Sequence, residues 1–247
     1  DTSPANHAGY DFAARSLRGF SHTRGVGVGC GGAGGDLLVS LAPLGSGPLL
    51  PIDKARERAS AGRYRVAYAN GIVADMTATR GTGVLRFTTA RAGGYVLRFD
   101  AAHSYSRRHA ATLTQRKGEL AATMTAGTVC DEGRYTIHTA SRVRVNGRPA
   151  TGFEVTGAIA TLSLRLPRGA VVEVRTGLST VDERAASRVR AAEVGSRAFS
   201  TVLAGTRAKW QRELGRVDLD APIGRRRLFY TSLFRVMQTR SEEHTSE

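Results

Sequence analysis

GFSHTRGVGVGCGGAGGD, residues 19–36, decides how the rest of the chain is read. Phe20, Ser21, His22 and Thr23 lead into a run that is almost half glycine and carries Cys30, one of only 2 cysteines. Glycine lets a backbone turn to positive φ and lets a ligand come close, and it loses the most entropy on folding. That much glycine in one place predicts a loop that faces a ligand.

Gly27-Val28-Gly29-Cys30-Gly31-Gly32 fits the G-x-G-x-x-G of dinucleotide sites. That fingerprint needs a strand before it and a helix after it, so that the helix N-terminus meets the pyrophosphate. Residues 21–24 make a poor strand, and Asp36-Leu37-Leu38-Val39-Ser40-Leu41 followed by Pro43 is a short apolar strand rather than a helix. Without its helix the loop offers a phosphate no dipole. The nucleotide reading fails on context.

The totals narrow the class. A chain of 247 residues can bury a sizeable core as one large all-β domain or two smaller ones. No apolar run is long enough to span a bilayer, and Asp1-Thr2-Ser3-Pro4 has neither the basic start nor the apolar stretch of a signal peptide. The net charge of +15 would ordinarily point to nucleic acid or an anionic surface. Its cations are nearly all arginine, with Lys54, Lys117 and Lys209 the exceptions, and apart from Arg225-Arg226-Arg227 they read as scattered over solvent faces. With no motif and no interleaved aromatic platform, neither a nucleic acid nor a membrane is expected as a partner. Cys30 and Cys130 match no zinc spacing and read as free thiols, Cys30 as a small wall residue of a pocket.

Beyond the loop, residues 43–51 are a turn-rich connector and residues 53–60 a charged stretch of helical or irregular character. Then the apolar residues alternate. Tyr64–Tyr68, residues 72–79 after the hairpin signal Asn70-Gly71, residues 84–88 and residues 95–100 form four strands with one wet face. A polar loop at residues 105–110, with His103 just before it and His109 within it, lacks a further ligand at metal spacing, so these histidines read as surface groups. Strands follow at residues 112–125 and 134–141 with Cys130–Gly133 as the turn between them, then at 143–145, 151–155, 159–166 and 171–177. β-Branched content and turn spacing predict an antiparallel sandwich of two large sheets.

At Asp182 the period becomes helical, with acid in the first turn. Phe199, Val202, Leu203, Thr206, Trp210 and Leu214 make one apolar face, and Gly215 is a cap candidate. Pro222 opens a last helix over residues 223–238, with Leu228, Phe229, Ser232, Leu233 and Val236 on one face. Trp210, Phe229 and Tyr230 read as helix packing.

Four separated stretches carry a resemblance. Gly9-Tyr10-Asp11-Phe12, then Gly19-Phe20-Ser21-His22-Thr23 with Gly27-Val28-Gly29-Cys30 and Gly35-Asp36, come first. Glu57-x-Ala59-x-x-Gly62-x-Tyr64-x-Val66, closing at Asp100, comes next. Glu173-Val174-Arg175 with Gly177-Leu178-Ser179 follows, and then Trp210 through Gly215 with Phe229-Tyr230-Thr231-Ser232-Leu233-Phe234. In this order they resemble glycoside hydrolase family 92, calcium-dependent exo-α-mannosidases. Arg24 and Val26 depart from that family's loop spacer, which often has a second histidine and a serine.

The resemblance implies an N-terminal β-sandwich domain, incomplete at its start, over residues 1–180. It implies a helical linker over 181–221 and the first helix of a truncated catalytic (α/α)6 barrel over 222–239. Residues 240–247 read as a translated sequencing adapter. The implied function is one wall of an inverting mannosidase site, with a mannose-containing glycan and the chain's own barrel as partners, in a secreted, periplasmic or cell-surface bacterial protein. Phe20, Ser21, His22, Gly29 and Cys30 are then the substrate-side residues. Acid, base and Ca2+ would come from the barrel, and Asp36, Asp131, Glu132 and Asp182 would be turn and cap residues. The alternative is a stand-alone carbohydrate-binding or interaction sandwich without catalysis.

Overall fold

A computed structural model describes residues 11–23 and 34–238. Along them run β1 (Ser16–Leu17), β2 (Leu38–Pro43), β3 (Leu50–Ser60), β4 (Arg63–Tyr68), β5 (Val73–Ala78), β6 (Thr82–Thr88) and β7 (Gly93–Asp100). Then come β8 (Arg108–Arg116), β9 (Glu119–Gly127), a 3-10 turn (Val129–Asp131), β10 (Arg134–Val145), β11 (Arg148–Ala150), β12 (Glu154–Thr156), β13 (Ile159–Leu166) and β14 (Val171–Ser179). Three helices close the series: α1 (Glu183–Glu193), α2 (Phe199–Leu214) and α3 (Ile223–Gln238).

The strands form two antiparallel sheets of unequal size, where the sequence suggests two large ones. The larger runs β1-β3-β4-β5-β6-β14-β10-β9-β8, with β11 on the side of β10, and the smaller runs β12-β13-β7-β2. The difference arises at β7. Its alternation looks like that of β4 to β6, yet it crosses to pair with β13 and β2. Phe99 and Leu97 of β7 thereby face Phe87, Val66, Met124, Val172 and Val174 of the large sheet, all fully buried. Facing side chains from two sheets fill such a core at crystal-like density.

Three local expectations change. Residues 53–60 are not helical or irregular, because they belong to β3, which pairs with β4 through a register shift between Asp53 and Arg58. Arg56 and Arg58 are exposed, while Glu57, 9% exposed at its side chain, pairs with Lys54 and accepts from the Tyr64 hydroxyl at 2.5 Å. Pairing with a neighbour overrides weak strand propensity. Residues 112–125 are not a single run either: Lys117 (φ 49) and Gly118 (φ 72) turn β8 back onto β9. Finally, Cys130 is disulfide-bonded rather than free. The sequence holds no other cysteine than Cys30, which lies outside the described residues.

The helices pack on the outer face of the large sheet. Asp182 caps α1, its carboxylate accepting from Ala185 N at 2.5 Å. Val84 of β6, Val194, Phe199, Val202 and Leu203 form a second, smaller core, and Thr206 of α2 donates to Ala78 O at 2.9 Å. α3 touches the rest lightly. Trp210 stacks on Phe234 at 4.7 Å between ring centres, and Tyr230 donates to Val217 O at 2.8 Å. Phe229 and Leu233 are half-buried, while Ile223, Leu228 and Val236 face solvent, 67%, 70% and 67% exposed.

Candidate functional site

The two legs of the glycine-rich stretch pair with each other. Phe20 and Val39 exchange both backbone hydrogen bonds at 2.9 Å, His22 N donates to Asp36 O and Gly35 N to Thr23 O, each at 2.9 Å. The stretch is therefore a hairpin whose stem is residues 19–23 and 34–39. Gly29 and Cys30, with the rest of 24–33, lie outside the described residues.

A buried network holds this stem to the large sheet. Asp36 is fully buried. Its carboxylate accepts from Thr23 Oγ1 at 2.6 Å, Arg108 Nη2 at 2.5 Å and the Tyr135 hydroxyl at 2.7 Å. The Thr23 hydroxyl in turn accepts from Asp36 N at 2.9 Å. Burial, together with the Asp36 charge, pushes the Tyr135 hydroxyl up to about 12, so it stays a donor. Asp36 is thus no turn residue but the anchor of the stem, tying it to the starts of β8 and β10. Buried charges persist where they are paired and fully hydrogen-bonded.

The histidines join the same base. His22 Nδ1 lies 2.9 Å from Leu37 O; a carbonyl only accepts, so Nδ1 carries the proton and Nε2 is left as an acceptor. Its ring rests on β6 at Gly83, where a Cβ would come within 3.1 Å of the ring. His103 likewise donates from Nδ1 to Gly35 O at 2.6 Å and stands edge-on to Tyr105. It is half-buried, and the His109 side chain is only 14% exposed, 3.5 Å from Asp131; neither is the plain surface histidine that the sequence suggests. Gly35, at φ 83, has no room for a side chain because Tyr105 occupies that space. Beside it Leu37 holds φ 52 while almost fully buried, a strained conformation that only its surroundings maintain.

Burial lowers both His22 and His103 below their ordinary value of 6.5, against the smaller opposing effect of their carbonyl partners. The unfolded chain therefore binds protons near pH 6.5 that the folded chain refuses. Stability contributed this way is fully present above about pH 6.5 and declines as the pH falls below it. Urea melts at pH 7.5 and 5.5 are expected to show the lower midpoint at 5.5. Replacing both histidines with glutamine narrows that gap, and a gap left untouched contradicts the assignment.

Of the other predicted substrate-side residues, Phe20 turns its half-buried ring inward, 6.4 Å from Tyr64 and 6.2 Å from Phe87. It braces the stem. Ser21 is half-buried next to it. Thr23, His103, Arg108 and Tyr135 were not legible as site residues; Arg108 and Tyr135 are 72 and 99 positions from Asp36, and no local spacing connects them. Beside the stem a cleft of about 510 Å³ opens over β2 and β7, with Arg18, Ser40, Arg98, Asp100 and His103 in its wall. None of its lining residues is Trp, Tyr or Phe, so it lacks the aromatic platform of a stand-alone sugar-binding module.

Among the described residues no group of three or more His, Cys, Asp or Glu could hold a metal ion, and the Asp36 oxygens are taken by Thr23, Arg108 and Tyr135. No described helix is long and apolar enough to cross a membrane.

The glycosyl hydrolase family 92 N-terminal domain matches residues 1–179, and that family's catalytic domain matches residues 185–247. The chain belongs to glycosyl hydrolase family 92. No curated protein matches the sequence. Among solved structures, the family GH92 glycosyl hydrolase CcMan5 is 26% identical with a TM-score of 0.79, over 94% of this chain and 36% of that one. The family GH92 α-mannosidase BT3965 from Bacteroides thetaiotaomicron, 21% identical, superposes with a TM-score of 0.80 over 94% of this chain and 35% of its own. It has also been solved with mannoimidazole. The inverting mannosidase BT2199 from Bacteroides thetaiotaomicron VPI-5482 is 18% identical, with a TM-score of 0.68 over 92% and 33%. This chain spans about a third of the length of these structures.

Proposed function

We propose that the protein to which this chain belongs is an inverting, calcium-dependent exo-α-mannosidase acting on terminal α-mannosides of glycans or mannans. In this reading residues 19–36 form one wall of its site. The observation that carries it is the anchored stem. The Asp36 network and the two neutral histidines fix a side-chain-poor hairpin to the end of the large sheet that also receives the helices. Gly83, under His22, pairs with Thr176, the residue before the seat of α1 at Gly177.

A rigid base under a glycine-rich tip lets a hexose approach backbone without displacing side chains. Ser21 and the acceptor nitrogen of His22 would face sugar hydroxyls, as would Gly29 and Cys30 of the tip, while Phe20 braces them from behind. Inversion needs an acid for the leaving oxygen and a base for a water, roughly 6.5–9.5 Å apart. We place both, with the calcium, in the catalytic domain, which the family match already opens at residue 185 of this chain. The exposed apolar face of α3 supports this, since a helix hydrophobic on its open side is built to be covered. A disulfide at Cys130 favours an oxidising compartment, and with it secretion or the periplasm.

The test is mannose release from terminal α-mannosides by the whole protein, with calcium and then with a chelator. Release that stops on chelation supports the reading. Release unaffected by chelation, or none from any α-mannoside, refutes it.

A further inference from the structure

Many arginines lie on solvent faces as the sequence suggests, but four of them line one pocket. On adjacent strands Arg142 of β10 stands opposite Arg175 of β14, and Arg144 stands opposite Glu173. Like charges directly across a strand pair repel. α1 and the turn after it add Ser187, Arg190, Gly195 and Ser196 to the lining of a half-open pocket of about 290 Å³, in which the Arg142 side chain stays 57% exposed. Two carboxylates answer part of this charge. Glu119 accepts from Arg142 Nε at 3.2 Å and from Arg190 Nη2, and Glu173 accepts from Arg175 Nε at 2.7 Å. The terminal nitrogens of Arg175 donate to Gly195 O at 2.6 Å and Arg197 O at 2.7 Å.

Four guanidinium groups against two carboxylates leave two positive charges (4 − 2 = 2) around the cavity. The surplus donors are also unfilled. Arg190 is only 5% exposed, yet its Nε is buried with no hydrogen-bond partner. Arg144 has no hydrogen-bond or ion-pair partner among the described residues. Burial holds the Arg190 guanidinium below its usual range, and the nearby Arg142 and Arg175 charges push the same way against Glu119. A buried donor without an acceptor is costly, and several guanidinium groups lining one pocket suit an anion that offers many acceptor oxygens.

We propose that this cavity is a binding site for a tetrahedral oxyanion, phosphate or sulfate, held by Arg142, Arg144 and Arg190. The bound anion would tie α1 to β10. This stands on the arginine geometry alone and does not depend on the mannosidase reading.

The test is calorimetry and thermal melting of the chain in potassium phosphate against potassium chloride at equal ionic strength. Phosphate is expected to bind saturably and raise the unfolding midpoint, while chloride does neither. Arg144→Gln removes a guanidinium that supports nothing else, so the variant should melt like the unaltered chain without phosphate. Its phosphate affinity should fall at least about tenfold. Arg165→Gln, on an exposed position of β13, keeps full affinity. Glycerol 3-phosphate separates the sources: equal or tighter binding means the site takes a phosphate carried on a larger molecule, and binding of inorganic phosphate alone means it takes the free ion. Equal midpoints in phosphate and chloride, or undiminished phosphate affinity in Arg144→Gln, overturns the proposal.

Discussion

Asp36→Ala is expected to lower the thermal midpoint of the chain by roughly 6–20 °C. Removing one member of a buried ion pair costs roughly 3–5 kcal/mol, and each kcal/mol moves the midpoint of a domain this size by about 2–4 °C. The loss is large because three donors converge on one carboxylate, and Arg108, 13% exposed at its side chain, would keep a charge with nothing to oppose it. Arg108 Nη2 also donates to His103 O at 2.5 Å, so the damage spreads to the second histidine of the base. Adding Arg108→Met to Asp36→Ala should recover part of the midpoint, since replacing a buried pair by apolar groups is often nearly neutral. A drop under about 2 °C for Asp36→Ala, measured by calorimetry, would show that the network does not hold the stem.

Gly177→Ala is the second large effect, and it acts on the other face of the same sheet end. A Cβ at Gly177 would collide with Ala186 O and come within 2.8 Å of Arg190 Cβ and 3.0 Å of Arg190 N. These atoms lie at the backbone of α1, so no side-chain rotation relieves the clash. The helix must lift from β14. Overpacking of this kind costs roughly 1–3 kcal/mol and sometimes more, and amide exchange along α1 should quicken along with the lower midpoint. Gly205→Ala in α2 is the control, because nothing lies within 4 Å of its Cβ and alanine is the better helix former. An unchanged midpoint and unchanged exchange for Gly177→Ala would mean that α1 is not seated as described.

Alternation made most strands legible. β7 and β13 bury every second residue for most of their length, and their periodicity of two records it directly. The helices were legible for the parallel reason, with Asp182 as the cap of α1 and Gly215 N–H closing α2 on Gln211 O at 2.9 Å. What stayed hidden depends on partners distant along the chain. β3 carries charge because it lies near the edge of the large sheet, and β7 changes sheets although its sequence looks like that of its neighbours. Asp36 read as a turn residue because Arg108 and Tyr135, which define it, are separated from it by whole strands. The cavity arginines were hidden similarly, since cross-strand register decides that Arg142 meets Arg175. The glycine pattern marked the hairpin, but the bonds that fix its stem come from side chains outside it.

The most direct test of the central claim is the anomer released by the whole protein from a terminal α-mannoside in calcium, followed by proton NMR, with the present chain alone as the control. If residues 19–36 are one wall of an inverting site completed by another domain, the whole protein yields β-mannose first and the chain alone releases none. α-Mannose as the first product, or release by this chain alone, would contradict the account.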